Sequence, residues 1–259
     1  MTIAYLSILI MGFVLGLLGG GGSILTVPIL VYLFKLNAIT STAYSLFIVG
    51  AAASIGAFKH YRSKNLNLTT GVTFAIPGFI GVFISRAYIV PNLPETIFRI
   101  NDFQLSKDNL ILLVFASMMV LASFSMIFGR SESKELKSVH HQILLTLGFC
   151  VGIVTGFVGA GGGFIIIPAL NKFAGLSIKK SIGTSLFIIS VNSLLGFFGD
   201  LINIQPDWFL LFSLVALATF GVLIGTYFNS KVPAKHLKKG FGFFVLILGS
   251  WILYNQIIN

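Results

Sequence analysis

Residues 12–30 read GFVLGLLGGGGSILTVPIL, and residues 152–170 read GIVTGFVGAGGGFIIIPAL. The two stretches align without a gap at an offset of 140, with eight of 19 positions identical: Gly12, Val14, Gly16, Gly19, Gly21, Gly22, Pro28 and Leu30 against Gly152, Val154, Gly156, Gly159, Gly161, Gly162, Pro168 and Leu170. The likeness continues in STAYSLFIVGAAASIGAF (41–58) against SIGTSLFIISVNSLLGFF (181–198), where seven of 18 positions match, including Ser45-Leu46-Phe47-Ile48 and Ser185-Leu186-Phe187-Ile188. Shared hydrophobicity does not place two glycine runs, two prolines and two Ser-Leu-Phe-Ile runs at one offset, so the chain reads as two copies of one unit. The expected division is a first repeat over 1–128, a cytoplasmic linker over 129–142 and a second repeat over 143–259.

The rest of the chain says where such a unit lives. Of 259 residues, 56% are hydrophobic and only 9% are charged, against about 25% charged in a soluble domain. That composition excludes a soluble globular protein, a disordered chain and a nucleic-acid-binding domain. The formal charge of +10 comes from 17 Lys and Arg against 7 Asp and Glu, an excess that orients a membrane protein. The lone cysteine leaves no disulfide framework. The start, MTIAYLSILIMG, has no basic region ahead of its apolar stretch and is expected to be part of the structure.

Eight apolar stretches follow, about 3–34, 40–58, 67–90, 109–128, 143–170, 181–199, 207–229 and 241–258. None shows the alternation of a barrel strand, so an all-α integral membrane protein is expected. The first and fifth exceed the roughly 20 residues a spanning helix needs and are broken by Gly19-Gly20-Gly21-Gly22 and Gly159-Ala160-Gly161-Gly162-Gly163, each with a proline beyond. Each is either one long tilted helix or a hairpin that returns to its own side. Lys and Arg in the loops 35–39, 59–66, 91–108, 129–142, 171–180, 200–206 and 230–240 number 1, 3, 2, 3, 3, 0 and 4. Eight crossings divide these 6 to 10, whereas two re-entrant hairpins divide them 3 to 13, which fits the positive-inside rule far better. The expectation is therefore six spanning helices and two re-entrant hairpins, with both termini outside. Each repeat is then a glycine-broken re-entrant (or long broken) helix followed by three transmembrane helices. An odd number of crossings separates equivalent points, so the repeats are inverted, a transporter design.

The residues just quoted resemble the TauE/SafE family of sulfite exporters, the four-toluene-sulfonate-uptake permease-like group, over essentially the whole length. The likeness rests on the size, the repeat and a GxxxGxxGxGG…P pattern opening each half, at Gly12, Gly16, Gly19, Gly21, Gly22 and Pro28 and again at Gly152, Gly156, Gly159, Gly161, Gly162 and Pro168. Gly183-Thr184-Ser185-Leu186-Phe187 fits the start of the next helix, while Tyr44 stands where Thr is usual. The resemblance implies transport of a small sulfur-containing anion, sulfite or a sulfonate, across a prokaryotic cytoplasmic membrane.

Candidate binding residues follow from the breaks. Backbone that leaves a helix at membrane depth must be satisfied by protein, water or ligand. The helices that restart at Ser23 and near Gly163 present free amides and the positive end of the helix dipole. Two such ends make an anion site with no charged side chain. The expected site is Gly19, Gly20, Gly21, Gly22, Ser23 and Thr26 with Gly159, Ala160, Gly161, Gly162 and Gly163. Ser45 and Ser185, in equivalent places beside the breaks, Thr184, and Asn192 opposite Ala52 are added as polar groups in apolar helices. Gly12-Gly16 and Gly152-Gly156 are expected to pack helices closely, as is Cys150. Arg86 is expected to snorkel to the interface, the four histidines to be solvated in basic loops, and the seven carboxylates to lie in loops or at segment ends. With no carboxylate at membrane depth to couple an ion, an inside-negative potential favours anion export, by about 2.3 kcal/mol per charge per 100 mV. No cofactor or metal is expected, and no His or Asp in a segment core suggests an enzyme. An uptake permease and a membrane scaffold are the rival readings.

Overall fold

A computed structural model describes residues 2–100, 103–128, 141–229 and 234–258. Among the described residues the chain is helical, with one small hairpin. Helix α1 (Thr2–Leu18) leads into a return arm made of a 3-10 turn (Gly21–Leu25), α2 (Thr26–Pro28) and a π-helical turn (Ile29–Leu33). Then come α3 (Ala38–Arg62) and α4 (Leu68–Ile84), which continues through a π-helical turn (Ser85–Ile89) into α5 (Val90–Asn92). Strands β1 (Thr96–Ile100) and β2 (Phe103–Ser106) pair antiparallel, with Thr96 opposite Ser106 and Arg99 opposite Gln104. This hairpin departs from expectation, because hydropathy marks 91–108 only as a loop. The remaining helices are α6 (Lys107–Phe128), α7 (His141–Val158), α8 (Gly163–Phe173), α9 (Ile178–Asp200), α10 (Trp208–Phe228) and α11 (Ala234–Ile258). Of the expected linker, 129–140 lies outside the described residues.

The offset of 140 survives in the local chemistry that starts the helices, even where the residues differ. Asn37 caps α3 by accepting from the Thr40 amide, and Ser177 caps α9 by accepting from Lys180. Asn67 caps α4 through Thr70, and Asp207 caps α10 through Leu210. Each cap satisfies an amide that the helix start leaves without a partner, worth about 1 kcal/mol. Four cap positions at one spacing therefore keep the two halves in step.

Among the described residues, six helices are long and apolar enough to cross a membrane: Ala38–Arg62, Leu68–Asn92, Lys107–Phe128, His141–Val158, Ile178–Asp200 and Trp208–Phe228. Five of these are expected spans, and the sixth is His141–Val158. His141–Val158, the first arm of the fifth stretch, is long enough by itself, so length alone does not separate a hairpin arm from a span. The protein is thus an all-α, multi-pass membrane protein.

Packing shows which helices are central. α3 and α9 are 67% and 72% buried over their apolar windows, against 39–50% for the other four. They run antiparallel, because Gly50 meets Leu194 while Gly56 meets Leu186. α1 lies parallel to α10, Gly12 against Ala218 and Gly16 against Val222; α7 lies parallel to α4, Gly152 against Gly78 and Gly156 against Val82. At each of these four glycines a Cβ would run into the neighbour's backbone. This is the close packing expected of them, and without a hydrophobic drive between helices in lipid such contact is what holds them together.

Both broken stretches fold back. Gly22 lies against the backbone of Met11 and Leu15, and Gly162 against the side chains of Val151 and Thr155. These are the same positions in the two halves. The arms of the first stretch also meet at their far ends, where the rings of Tyr5 and Phe34 pack edge to face at 5.4 Å.

Candidate functional site

The two breaks come together. A Cβ on Gly20 would land on the Cα of Gly163, and one on Gly163 would land on Gly20. Ile189 of α9 touches both, while Gly161 is faced by Ile189, Val49 and Ser193. The junction therefore sits at the waist of the α3–α9 pair, where Gly50 and Leu194 cross. The outer shoulders of the breaks point to opposite ends of that pair: Gly19 packs on Ile182 near the start of α9, and Gly159 packs on Thr42 near the start of α3. Left-handed backbone turns the chain at Gly19 (φ 69°), Gly159 (φ 73°), Gly161 (φ 64°) and Gly162 (φ 68°), with Gly20 at φ 143°. Glycine alone takes these values without strain.

The candidate side chains divide into three groups. Ser23 and Ser185 serve the first break: Ser23 Oγ donates to the Gly20 carbonyl at 2.7 Å, and Ser185 Oγ donates to the Gly19 carbonyl and, at 3.0 Å, to that of Ile182. Thr26 and Ser45 are buried with no hydrogen-bond partner for their hydroxyls. Thr184 and Asn192 face elsewhere. Thr184 Oγ1 accepts from the Asn67 amide at 3.0 Å, which ties α9 to the cap of α4. The Asn192 amide lies against Gly78 of α4, and its Oδ1 has no partner. Its neighbour Ser193 is the residue at Gly161, buried and without a partner. The restart also differs from expectation, since the first return arm begins as a 3-10 turn at Gly21 rather than at Ser23.

The charged groups depart from expectation. Arg86, expected at the interface, is wholly buried in the π-helical turn Ser85–Ile89. Its Nη1 donates to Thr42 Oγ1 at 3.0 Å and to Asp200 Oδ1 at 3.4 Å. Asp200, expected at a segment end, does close α9, but there it is only 4% exposed. A buried cation is costly unless paired, and removing one partner of such a pair costs about 3–5 kcal/mol. The partners lie 114 residues apart in the chain, and no local pattern announces them. His60 is corrected likewise: it is a buried residue of α3, its Nε2 without a partner, not a solvated loop residue. Its Cβ faces Gly183. Cys150, expected in the packing, is exposed on α7.

The two ends of the α3–α9 pair are built differently. At the Arg86 end the pair with Asp200 is closed in. At the His60 end lies a cavity of about 210 Å³ whose lining includes Lys59, His60, Asn65, Lys179, Thr226 and Asn229. Two lysines and several amide and hydroxyl groups give it a positive, hydrogen-bonding wall.

A multi-pass helical membrane protein whose halves share one architecture and meet at paired helix breaks belongs to the class of transporters with discontinuous helices. The sulfite exporter TauE/SafE family model matches residues 4–252, and the chain belongs to that family. It is 28% identical to a probable membrane transporter protein of Xylella fastidiosa, over 95% of this chain and 92% of that one. It is 24% identical to the probable membrane transporter protein YunE of Bacillus subtilis (97% and 96% covered), and 23% identical to one of Methanocaldococcus jannaschii (95% and 94%). No solved structure matches it. The protein is a membrane transporter of the TauE/SafE family, located in the cell membrane.

Proposed function

We propose that the chain exports a small sulfur-containing oxyanion, sulfite or a sulfonate, by alternating access of two inverted repeats, residues 1–128 and 143–259, joined through 129–142. The observation that carries this reading is the contact of Gly20 with Gly163 at the waist of the α3–α9 pair. There two helix restarts bring uncapped amides together, and a small anion is the ligand such ends prefer. The unpartnered hydroxyls of Thr26, Ser45 and Ser193 supply further donors. The antiparallel α3–α9 pair, and the parallel pairs α1–α10 and α4–α7 flanking it, support the inversion. With basic loops divided 3 to 13, the His60 end faces the cytoplasm, and its positive cavity gathers anions for export.

The test is efflux of radiolabelled sulfite from proteoliposomes, with thiosulfate and a small sulfonate as competitors. The expected result is efflux that quickens when the departing side is made negative. Flux indifferent to the imposed potential overturns electrogenic export, and uptake favoured under every gradient makes the protein a permease. A chain that moves none of these anions loses the reading altogether. In a Cys150→Ser background, single cysteines within 35–39 and within 171–180 are expected to label from opposite faces. Labelling from one face means the broken stretches cross.

A further inference from the structure

Resting on that reading, we propose that Arg86 is a second binding station for the transported oxyanion, held by the Asp200 carboxylate when its end of the protein is shut and by the anion when that end opens. The geometry of the guanidinium is the first reason. Only Nη1 is engaged, by Thr42 and Asp200, while Nε and Nη2 have no partner although the side chain is fully buried. The Nε–Nη2 edge is a fork that grips two oxygens of a carboxylate, phosphate or sulfur oxyanion at once. Asp200 does not use it: one oxygen reaches Nη1 at 3.4 Å and the other, Oδ2, is itself unpartnered. A buried carboxylate seated beside the fork rather than in it is a loose occupant, and one that another anion can displace.

Position is the second reason. Arg86 and Thr42 come from the first half and Asp200 from the second, so any parting of the halves at this end breaks the ion pair. That leaves a buried cation without its counter-charge, and a passing oxyanion supplies one. Thr42, which holds Nη1, is also the residue on which Gly159 packs, so the station adjoins the shoulder of the second break. Among the described residues no other ion pair involves Arg86 or Asp200. The repeat supplies the third reason. At the offset of 140, Arg86 corresponds to Thr226 and Asp200 to His60. Thr226 is neutral and cannot pair by charge with His60, and both line the open cavity at the opposite end. One end is thus latched by charge, while its counterpart carries no latch and is open.

The test measures equilibrium binding of radiolabelled sulfite to the purified full-length protein, with Asp200→Asn and Arg86→Lys as variants. Asp200→Asn removes the competing charge and is expected to tighten sulfite binding about tenfold. Arg86→Lys keeps the cation and its pairing with Asp200 but lacks the fork, and is expected to weaken binding about tenfold. A residue that merely holds the fold together predicts no tightening in Asp200→Asn. Unchanged or weaker binding in Asp200→Asn, or unchanged binding in Arg86→Lys, overturns the proposal. If Asp200→Asn does not fold, Arg86→Lys decides alone. Wild-type protein that binds neither sulfite nor thiosulfate fails the proposed function and this station with it; wild-type binding that the variants leave unmoved fails the station only.

Discussion

The two glycine breaks are the same device built with two residues different, Ala160 for Gly20 and Gly163 for Ser23, and the first difference reroutes the chain. In the first break the left-handed turn is made at Gly19 and extended at Gly20, after which Gly21 and Gly22 take ordinary backbone values. In the second, Ala160 stands in place of Gly20 and does not take a positive φ, and the turn is completed at Gly161 and Gly162 instead. A Cβ penalises left-handed backbone, so an alanine in the second position moves the work one residue further along. The arms beyond differ accordingly. The first returns as a 3-10 turn, a short α-helix and a π-helical turn, while the second returns as the single helix α8 with Pro168 inside it. Equal positions in a repeat do not imply equal backbone; what both halves keep is that the breaks meet.

That comparison breaks most readily at Gly20. Gly20→Ala sets a Cβ on the Gly163 Cα and on a φ of 143°. The expected loss is about 3 kcal/mol or more, seen as a collapsed melting transition or an aggregate on size exclusion. A variant as stable as the parent would mean the breaks do not touch. Gly161→Ala comes next: its φ of 64° is strained for alanine, but the nearest neighbours are side chains at 3.1 Å that can yield. About 1–2 kcal/mol should be lost, measured by thermal unfolding in detergent. The equivalent change Gly21→Ala meets only side-chain atoms at 3.4 Å with ordinary backbone, and a shift within about 0.5 kcal/mol is expected. Finding the two alanines equally harmful would refute the claim that the turn lies in different places.

A subtler contrast lies where each return arm ends. Lys35 holds φ at 61° where its counterpart Gly175 holds 63°. Lys35→Gly should relieve strain and raise stability by up to about 1 kcal/mol, whereas Gly175→Ala should lower it by a similar amount. Opposite signs in one thermal-shift series are the expected outcome, and two losses would show that Lys35 is not strained.

Much of this was legible beforehand because it is local. Hydropathy located the helices, and the glycine and proline runs located the breaks to within two residues. The spacing of 140 tied the halves together, and the structure extends it to the caps at Asn37 and Ser177. The site was legible only in part. Of the expected glycines, Gly19, Gly20, Gly159, Gly161 and Gly162 turn the backbone while Gly21, Gly22 and Gly163 do not, and Asn192 lies against Gly78 while its neighbour Ser193 lies at Gly161. One position along a helix rotates a side chain by about 100°, and hydropathy does not say which face meets a partner.

The sequence by itself determined that this is a membrane protein made twice from one pattern, because apolar runs, charge bias and glycine breaks act over a turn or two of chain and need no neighbour to be read. Tertiary structure alone decided that Gly20 abuts Gly163, that Arg86 is buried beside Asp200 rather than snorkelling outward, and that Cys150 faces out. The reason is geometric: whether a charge is buried and met depends on which helix packs against it and in which direction, and that is set by the assembled bundle rather than by any stretch of the chain.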